Sequence, residues 1–277
     1  MSLDLRVNAL RDGVAAQALE GLIAAEVYLE PKPFVACAPA AAIRVAPSES
    51  AEQADQLLFG EAFEVLEEEA NGFVWGQARR DGYVGFVAAA SLARPGPEPT
   101  HRVSALRTYA FEGPSIKTRA SGPYSLGSLV AVEAVEGRLS KVTGAGWMAS
   151  GHLAPIGRFE TDSVAVAERF VGTPYLWGGR ESLGLDCSGL IQQALMASGR
   201  ACPRDTDQQQ ALGLAIDQSA FGRGDLVFWK GHVAMGLGEG MILHANAFHM
   251  AVAVEPLAEA LARIAAVAGE PLAWRRT

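Results

Sequence analysis

Between residues 36 and 157 apolar and polar residues alternate in short runs, and this period-two texture restricts the fold more than any other feature. The first runs are Gln56-Leu57-Leu58-Phe59-Gly60-Glu61, Phe63-Glu64-Val65-Leu66 and Phe73-Val74-Trp75-Gly76-Gln77-Ala78, closing with Asp81-Gly82-Tyr83-Val84-Gly85-Phe86-Val87. Strands this short, with turn signals about every eight to twelve residues, build a small barrel. Arg94-Pro95-Gly96-Pro97-Glu98-Pro99 reads as a linker, because its prolines cannot donate to a ladder. Beyond it the plan repeats loosely: Leu126-Gly127-Ser128-Leu129-Val130-Ala131-Val132, then Leu139-Ser140-Lys141-Val142, Gly146-Trp147-Met148 and His152-Leu153. The organisation expected is an N-terminal arm (1–35), a first small barrel (36–95), a second (100–157) and a C-terminal domain (158–277). The arm reads as carrying one weak helix around Val14 to Ala25, ending near Pro31-Lys32-Pro33.

From Thr161 the period changes. Asp162 can cap a helix that runs through Ala165 and Phe170 and stops at Gly172 and Pro174. A second helix follows Asp186, since Cys187, Leu190, Ile191, Ala194 and Leu195 share one helical stripe and Gly199 ends it. Strands are expected at 225–229, 233–237 and 241–245. Helices first and sheet afterwards describe a compact α+β domain.

Composition narrows function. A formal net charge of -8 excludes a general nucleic-acid binder, which needs a basic surface. Cys37, Cys187 and Cys202 make no disulfide framework and no CxxC pair. Asp4, Asp12, Glu20, Glu26 and Glu30 interrupt the start of the chain, so neither a signal peptide nor a membrane span is expected, and the reading is cytoplasmic.

The candidate chemistry begins with Cys187. At a helix start, unpaired N–H groups and the helix dipole favour a thiolate, and a histidine nearby does the same. Its setting between Asp186 and Ser188, behind Trp177-Gly178-Gly179, places it at a cleft, whereas Cys37 and Cys202 read as buried small hydrophobes. Of the five histidines, His232 and His244 sit in strand-like runs. A three-residue loop, Gly238-Glu239-Gly240, would pair Leu237 with Met241 and set His232 opposite Asn246 and diagonal to His244. Both imidazoles then share one face. A two-residue loop would separate them unless a bulge intervened. Nucleophile Cys187, base His232 and orienting His244 make a triad. His101, His152 and His249 read as ordinary satisfied histidines.

Five segments in order resemble the NlpC-type cell-wall peptidases: Thr173-Pro174-Tyr175-Leu176-Trp177-Gly178-Gly179, Leu185-Asp186-Cys187-Ser188-Gly189-Leu190, Gly224-Asp225-Leu226-Val227-Phe228, His232-Val233-Ala234-Met235 and Ile242-Leu243-His244-Ala245. The resemblance implies a papain-like domain that cuts the γ-D-glutamyl–diamino acid bond of murein peptides, and upstream barrels of the bacterial SH3 type. It implies Tyr175 beside the nucleophile, near the oxyanion, and substrate contacts at Asp186 and Ser188. Arg204-Asp205-Thr206 matches a motif with serine in place of Thr206, so the hydroxyl is kept. In the cytoplasmic branch of such enzymes the first barrel reads a free N-terminal L-alanine. Tyr83 matches one such residue, and Glu52 or Glu49 the other. An acidic pair of Asp186 with a barrel carboxylate suits an ammonium group.

No cofactor or metal is expected, since nothing like HExxH accompanies the cysteine and histidines. The partner expected is a murein-derived peptide, with no nucleic acid and no membrane. Two alternatives stay open: a murein-binding module without catalysis, and acyl transfer through the same thioester.

Overall fold

The computed structural model describes residues 3–277, and the chain divides into two compact units that meet in sequence at Ile156 and Gly157. Within the first unit, a seven-stranded sheet takes its strands from residues 32 to 93 and closes around Ile43, Leu57, Phe63, Val65, Tyr83 and Val87. A second strand group, residues 101 to 155, forms a three-stranded and a five-stranded sheet around Val103, Ala110, Tyr124 and Met148. The internal repeat is visible at the exits. In each, a short 3-10 turn (Ala89–Ser91 and Ser150–His152) leads into a closing strand (Leu92–Ala93 and Leu153–Pro155). Phe59, from a turn of the first group, packs edge-on against Tyr124 of the second at 5.1 Å.

The arm is not helical. Leu10–Arg11 pairs with Val14–Ala16, and the latter pairs in parallel with Val27–Leu29; only a 3-10 turn, Gln17–Leu19, interrupts. The reason lies in Asp12-Gly13, whose φ values of 48 and 79 make the two-residue hairpin turn that this dipeptide favours. Lys32–Ala36 is likewise a strand of the seven-stranded sheet rather than a break. Its partner on one side reaches only Val35 and Ala36, so Pro33 lies where that edge needs no donor. Cys37 is exposed, contrary to the buried role expected of it, while Cys202 is buried.

In the second unit Asp162 caps a helix at Ser163–Glu168, accepting from the N–H groups of Val164 and Ala165. The helix is shorter than expected and passes into turns before Thr173. The central helix is Cys187–Ala197. A six-stranded sheet runs in the order 214–215, 273–276, 226–229, 232–238, 241–246, 251–256. The central helix packs on the strands His232–Gly238 and Met241–Asn246. A later helix, Leu257–Ala268, buries Ala260 and Ile264 against Val227, Trp229, Ala234 and Ile242. Its apolar residues recur at helical spacing, which stabilises it through one buried stripe. Among the described residues no helix is long and apolar enough to cross a membrane.

Candidate active site

Cys187 is the first residue of its helix because Asp186 turns the chain. The Asp186 Oδ1 accepts from Gly189 N–H at 2.8 Å, which caps the helix, and Oδ2 accepts from Gly178 N–H at 2.9 Å. Gly189 is required by packing as well: a Cβ there would lie 2.3 Å from the Gly179 carbonyl oxygen. Beneath this turn Arg204, 1% exposed, donates to both oxygens of Asp186 at 3.0 and 2.7 Å and to Ser188 Oγ at 2.7 Å. Ser188 Oγ in turn donates to Asp186 Oδ1 at 3.2 Å. The Asp186 carboxylate and Ser188 hydroxyl are thus engaged by internal groups. Thr206 opens a short helix, Thr206–Gln209, and the Gln209 amide donates to the Ser188 carbonyl at 3.0 Å.

The sulfur lies against the start of the His232 strand. Cys187 Sγ meets the Gly231 carbonyl at 3.9 Å, and Val233 N–H and Ser188 N–H hydrogen-bond the sulfur. Gly231 and Val233 flank His232 in sequence, so the thiol sits where that ring begins. Cys187 is 5% exposed. Burial first, and then the charge of Asp186, push it up to about 12, in contrast to the lowering expected from its helix-start position. The Tyr175 phenol is raised as well, by burial and by the charges of Cys187 and Asp186, so it remains an O–H donor. Its backbone N–H donates to the Met250 carbonyl at 3.0 Å.

The histidine pair is joined by a turn unlike the one expected. Gly238 pairs with Met241, leaving a two-residue loop, Glu239-Gly240, whose φ values of 51 and 72 match a type I′ hairpin. A bulge between Gly236 and Gly238 makes Leu237 an extra residue, and upstream Gly236 pairs with Ile242 and Met235 with Leu243. The bulge therefore restores the register that brings His232 and His244 to one face. His232 Nε2 and His244 Nδ1 are 2.8 Å apart.

Two residues that the sequence reading did not single out extend this pair. His244 Nε2 lies 2.6 Å from Glu255 Oε1, and Arg263 donates to Glu255 Oε2 at 2.6 Å and Oε1 at 2.5 Å. Glu255 pairs with Ile242 on the neighbouring strand, which puts it on the same face as His244. The signal for it was a carboxylate directly after the apolar run Ala251-Val252-Ala253-Val254, with an arginine on the next helix. Burial lowers His232 to about 3, helped by the positive charges of His244 and Arg263, and lowers His244 to about 4 against the pull of Glu255. Burial works to raise Glu255, but hydrogen bonds from Arg263 and His244 outweigh it and hold the carboxyl below its usual range. At rest the thiol and both imidazoles are therefore neutral.

Ligand atoms of His244, His249 and Glu255 lie within 4.8 Å of one another, a spacing open to a metal. Arg263 occupies both Glu255 oxygens and sets a positive charge beside them, which opposes a cation there. His249 Nδ1 is 3.0 Å from Asn246 Oδ1, and His152 Nδ1 is 2.8 Å from Thr108 Oγ1. In the first unit Tyr83 is 6% exposed within the barrel core. Glu52 is an exposed residue just before the strand Gln53–Leu58, and Glu49 pairs with Arg44 at 3.3 Å.

Comparison with known proteins places these geometries. Residues 172–267 match the NlpC/P60 family, and residues 43–92 match the bacterial dipeptidyl-peptidase Sh3 domain. The chain is 35% identical over 104 residues to a gamma-D-glutamyl-L-lysine dipeptidyl-peptidase of Bacillus cereus, covering 35% of this chain and 31% of that protein. It is 37% identical over 89 residues to dipeptidyl-peptidase 6 of Lysinibacillus sphaericus, covering 32% of this chain and 33% of that protein. These alignments span about a third of each relative's length. A gamma-D-glutamyl-L-lysine dipeptidyl-peptidase of Bacillus subtilis is 27% identical over 226 residues, covering 74% of this chain and 76% of that protein. The crystal structure of an NlpC/P60 family protein from Bacillus cereus superposes with a TM-score of 0.76 at 20% identity, covering 88% of this chain and 99% of that one, which establishes the fold.

Proposed function

We propose that this chain, which carries an NlpC/P60 domain behind a bacterial dipeptidyl-peptidase-type SH3 domain, is a cysteine peptidase that hydrolyses the γ-D-glutamyl–diamino acid bond of murein peptides. One observation carries the reading: Cys187 opens a buried helix against the residues flanking His232, and His232 is hydrogen-bonded to His244. As substrate arrives, His232 takes the thiol proton while Sγ attacks the γ-carbonyl carbon. The attraction between thiolate and imidazolium offsets the burial that keeps each neutral at rest. The Cys187 N–H and the Tyr175 hydroxyl are the donors for the oxyanion, since the Gly189 N–H is taken by Asp186. Imidazolium His232 then protonates the leaving amine of the diamino acid. Water, deprotonated by His232, clears the thioester and releases the glutamyl product with the thiol restored.

The names of three relatives and of the Sh3 family support a dipeptidyl-peptidase, an enzyme that releases a dipeptide from a free amino terminus. On this reading the substrate is a released peptide beginning with a free L-alanine. The test is mass-spectrometric product analysis of L-Ala-γ-D-Glu-L-Lys and its diaminopimelate counterpart, each with a free and an acetylated amine. Cys187→Ala is the control. Release of L-Ala-D-Glu from the free peptides alone is expected. Equal cleavage of the acetylated peptides discards the free-amine specificity, and no cleavage by the unmodified chain discards the peptidase.

A further inference from the structure

The proton inventory of the site is fixed by a group two side chains away from the nucleophile. An ionised carboxylate only accepts, so the 2.6 Å contact of Glu255 Oε1 with His244 requires the proton on His244 Nε2. A neutral His244 so protonated has a bare Nδ1, and the 2.8 Å contact there requires His232 to donate its Nε2–H. What remains on His232 is a bare Nδ1, the form a general base needs. We propose that Glu255, held by the two hydrogen bonds from Arg263, is a positioning residue that selects the reactive tautomer of His232 through His244. The inference rests on the cysteine-peptidase reading for its role in catalysis, but the tautomer order itself does not.

The surroundings favour such a lock. His244 is 0% exposed and Glu255 6% exposed, so water does not compete for these hydrogen bonds. Arg263 comes from the helix Leu257–Ala268 and is covered by the Phe248 ring, 4.3 Å from its guanidinium carbon to the ring centre. The charged and titratable groups facing the relay are His232 and His244 on adjacent strands, Arg263 and Glu259 on that helix, and His249 on the turn before Glu255's strand. Glu255 is the carboxylate in hydrogen-bond contact with this relay, and its charge stabilises the imidazolium that forms on His232 during proton transfer.

Glu255→Gln tests the proposal. The carboxylate accepts at both ends, from His244 and Arg263 at Oε1 and from Arg263 at Oε2; an amide loses the charge and makes one end a donor, which faces an Arg263 donor in either orientation. The readout is long-range 1H–15N spectroscopy of the intact chain with 15N-labelled histidine, assigned through His232→Gln and His244→Gln. Both rings should be Nε2-protonated in the wild type, and Glu255→Gln should populate the other tautomer of each. With the murein tripeptide, kcat should fall roughly 10- to 1000-fold with KM within about twofold. That is less than the ~10⁴-fold lost when the carboxylate touching a catalytic histidine is replaced in a serine protease. Unchanged tautomers, or an unchanged kcat, overturn the proposal. Arg263→Gln, at a half-buried surface position, gives an independent reading if Glu255→Gln does not fold. It should mix the tautomers partly and lower kcat several-fold, and no change in either refutes the lock. Since the spectra need no substrate, a wild type that cleaves nothing would defeat the peptidase reading while the tautomer order is still decided.

Discussion

Removing Arg204 should unfold the nucleophile's turn before it alters any contact with substrate. In Arg204→Met the stem is kept and the guanidinium lost, which strips two hydrogen bonds from Asp186, one from Ser188 Oγ and one, at 3.3 Å, from the Gly179 carbonyl. The arginine side chain is 1% exposed and the aspartate side chain 9%, so the orphaned carboxylate stays in a dry site. Breaking a buried pair from one side costs about 3–5 kcal/mol. Asp186 retains the N–H groups of Gly178 and Gly189 and the Ser188 hydroxyl, which places the loss near the lower figure, about 3 kcal/mol. For a unit the size of Gly157–Thr277 this is a fall on the order of 10 °C in its melting transition. Scanning calorimetry of the full chain would resolve that transition. Asp186→Asn keeps a side-chain oxygen for the cap but takes the negative charge and one acceptor away from Arg204, and should cost a similar amount. The double variant should cost clearly less than the two single losses added. If Arg204→Met shifts stability by less than about 1 kcal/mol, the buried pair is not what holds Cys187. If Asp186→Asn instead raises KM with no loss of stability, the carboxylate serves the substrate's amine.

Other outcomes follow from the same geometry. Tyr175→Phe should lower kcat about a hundredfold with KM little changed, the loss of one oxyanion donor, and a changed KM alone would remove the hydroxyl from that role. Because the Cys187 thiol is pushed up to about 12, its iodoacetamide alkylation in the free chain should climb from pH 7 to 10, followed on the Cys187 peptide by mass spectrometry. A plateau already reached at neutral pH would reveal a preformed thiolate–imidazolium pair. His232 and His244 sit at about 3 and about 4 when folded against 6.5 unfolded, so the unfolded chain binds more protons between those values. Stability present above pH 6.5 is therefore lost progressively as pH falls towards 3. Urea unfolding at pH 7 and 4.5 should show a smaller loss for His232→Gln than for the wild type, and equal losses would refute the assignment.

What the sequence determined by itself was local or periodic. Asp186-Cys187-Ser188-Gly189 encodes its own cap and helix start, because the capping oxygen and the N–H it satisfies lie three residues apart. The alternating runs identify the β units, since period two is a property of each strand alone. Asp12-Gly13 was equally legible as a hairpin turn, and only the helical reading of the residues after it obscured the point. Tertiary structure decided the rest. Whether His232 meets His244 depends on one extra residue, Leu237, and a bulge is set by how neighbouring strands pack rather than by the turn's own residues. Glu255 and Arg263 could not be assigned in advance, because their meaning comes from a strand and a helix folding over the same sheet face. The sign of the Cys187 shift was decided the same way: a helix start favours the thiolate, but burial, which only the assembled domain creates, outweighs it.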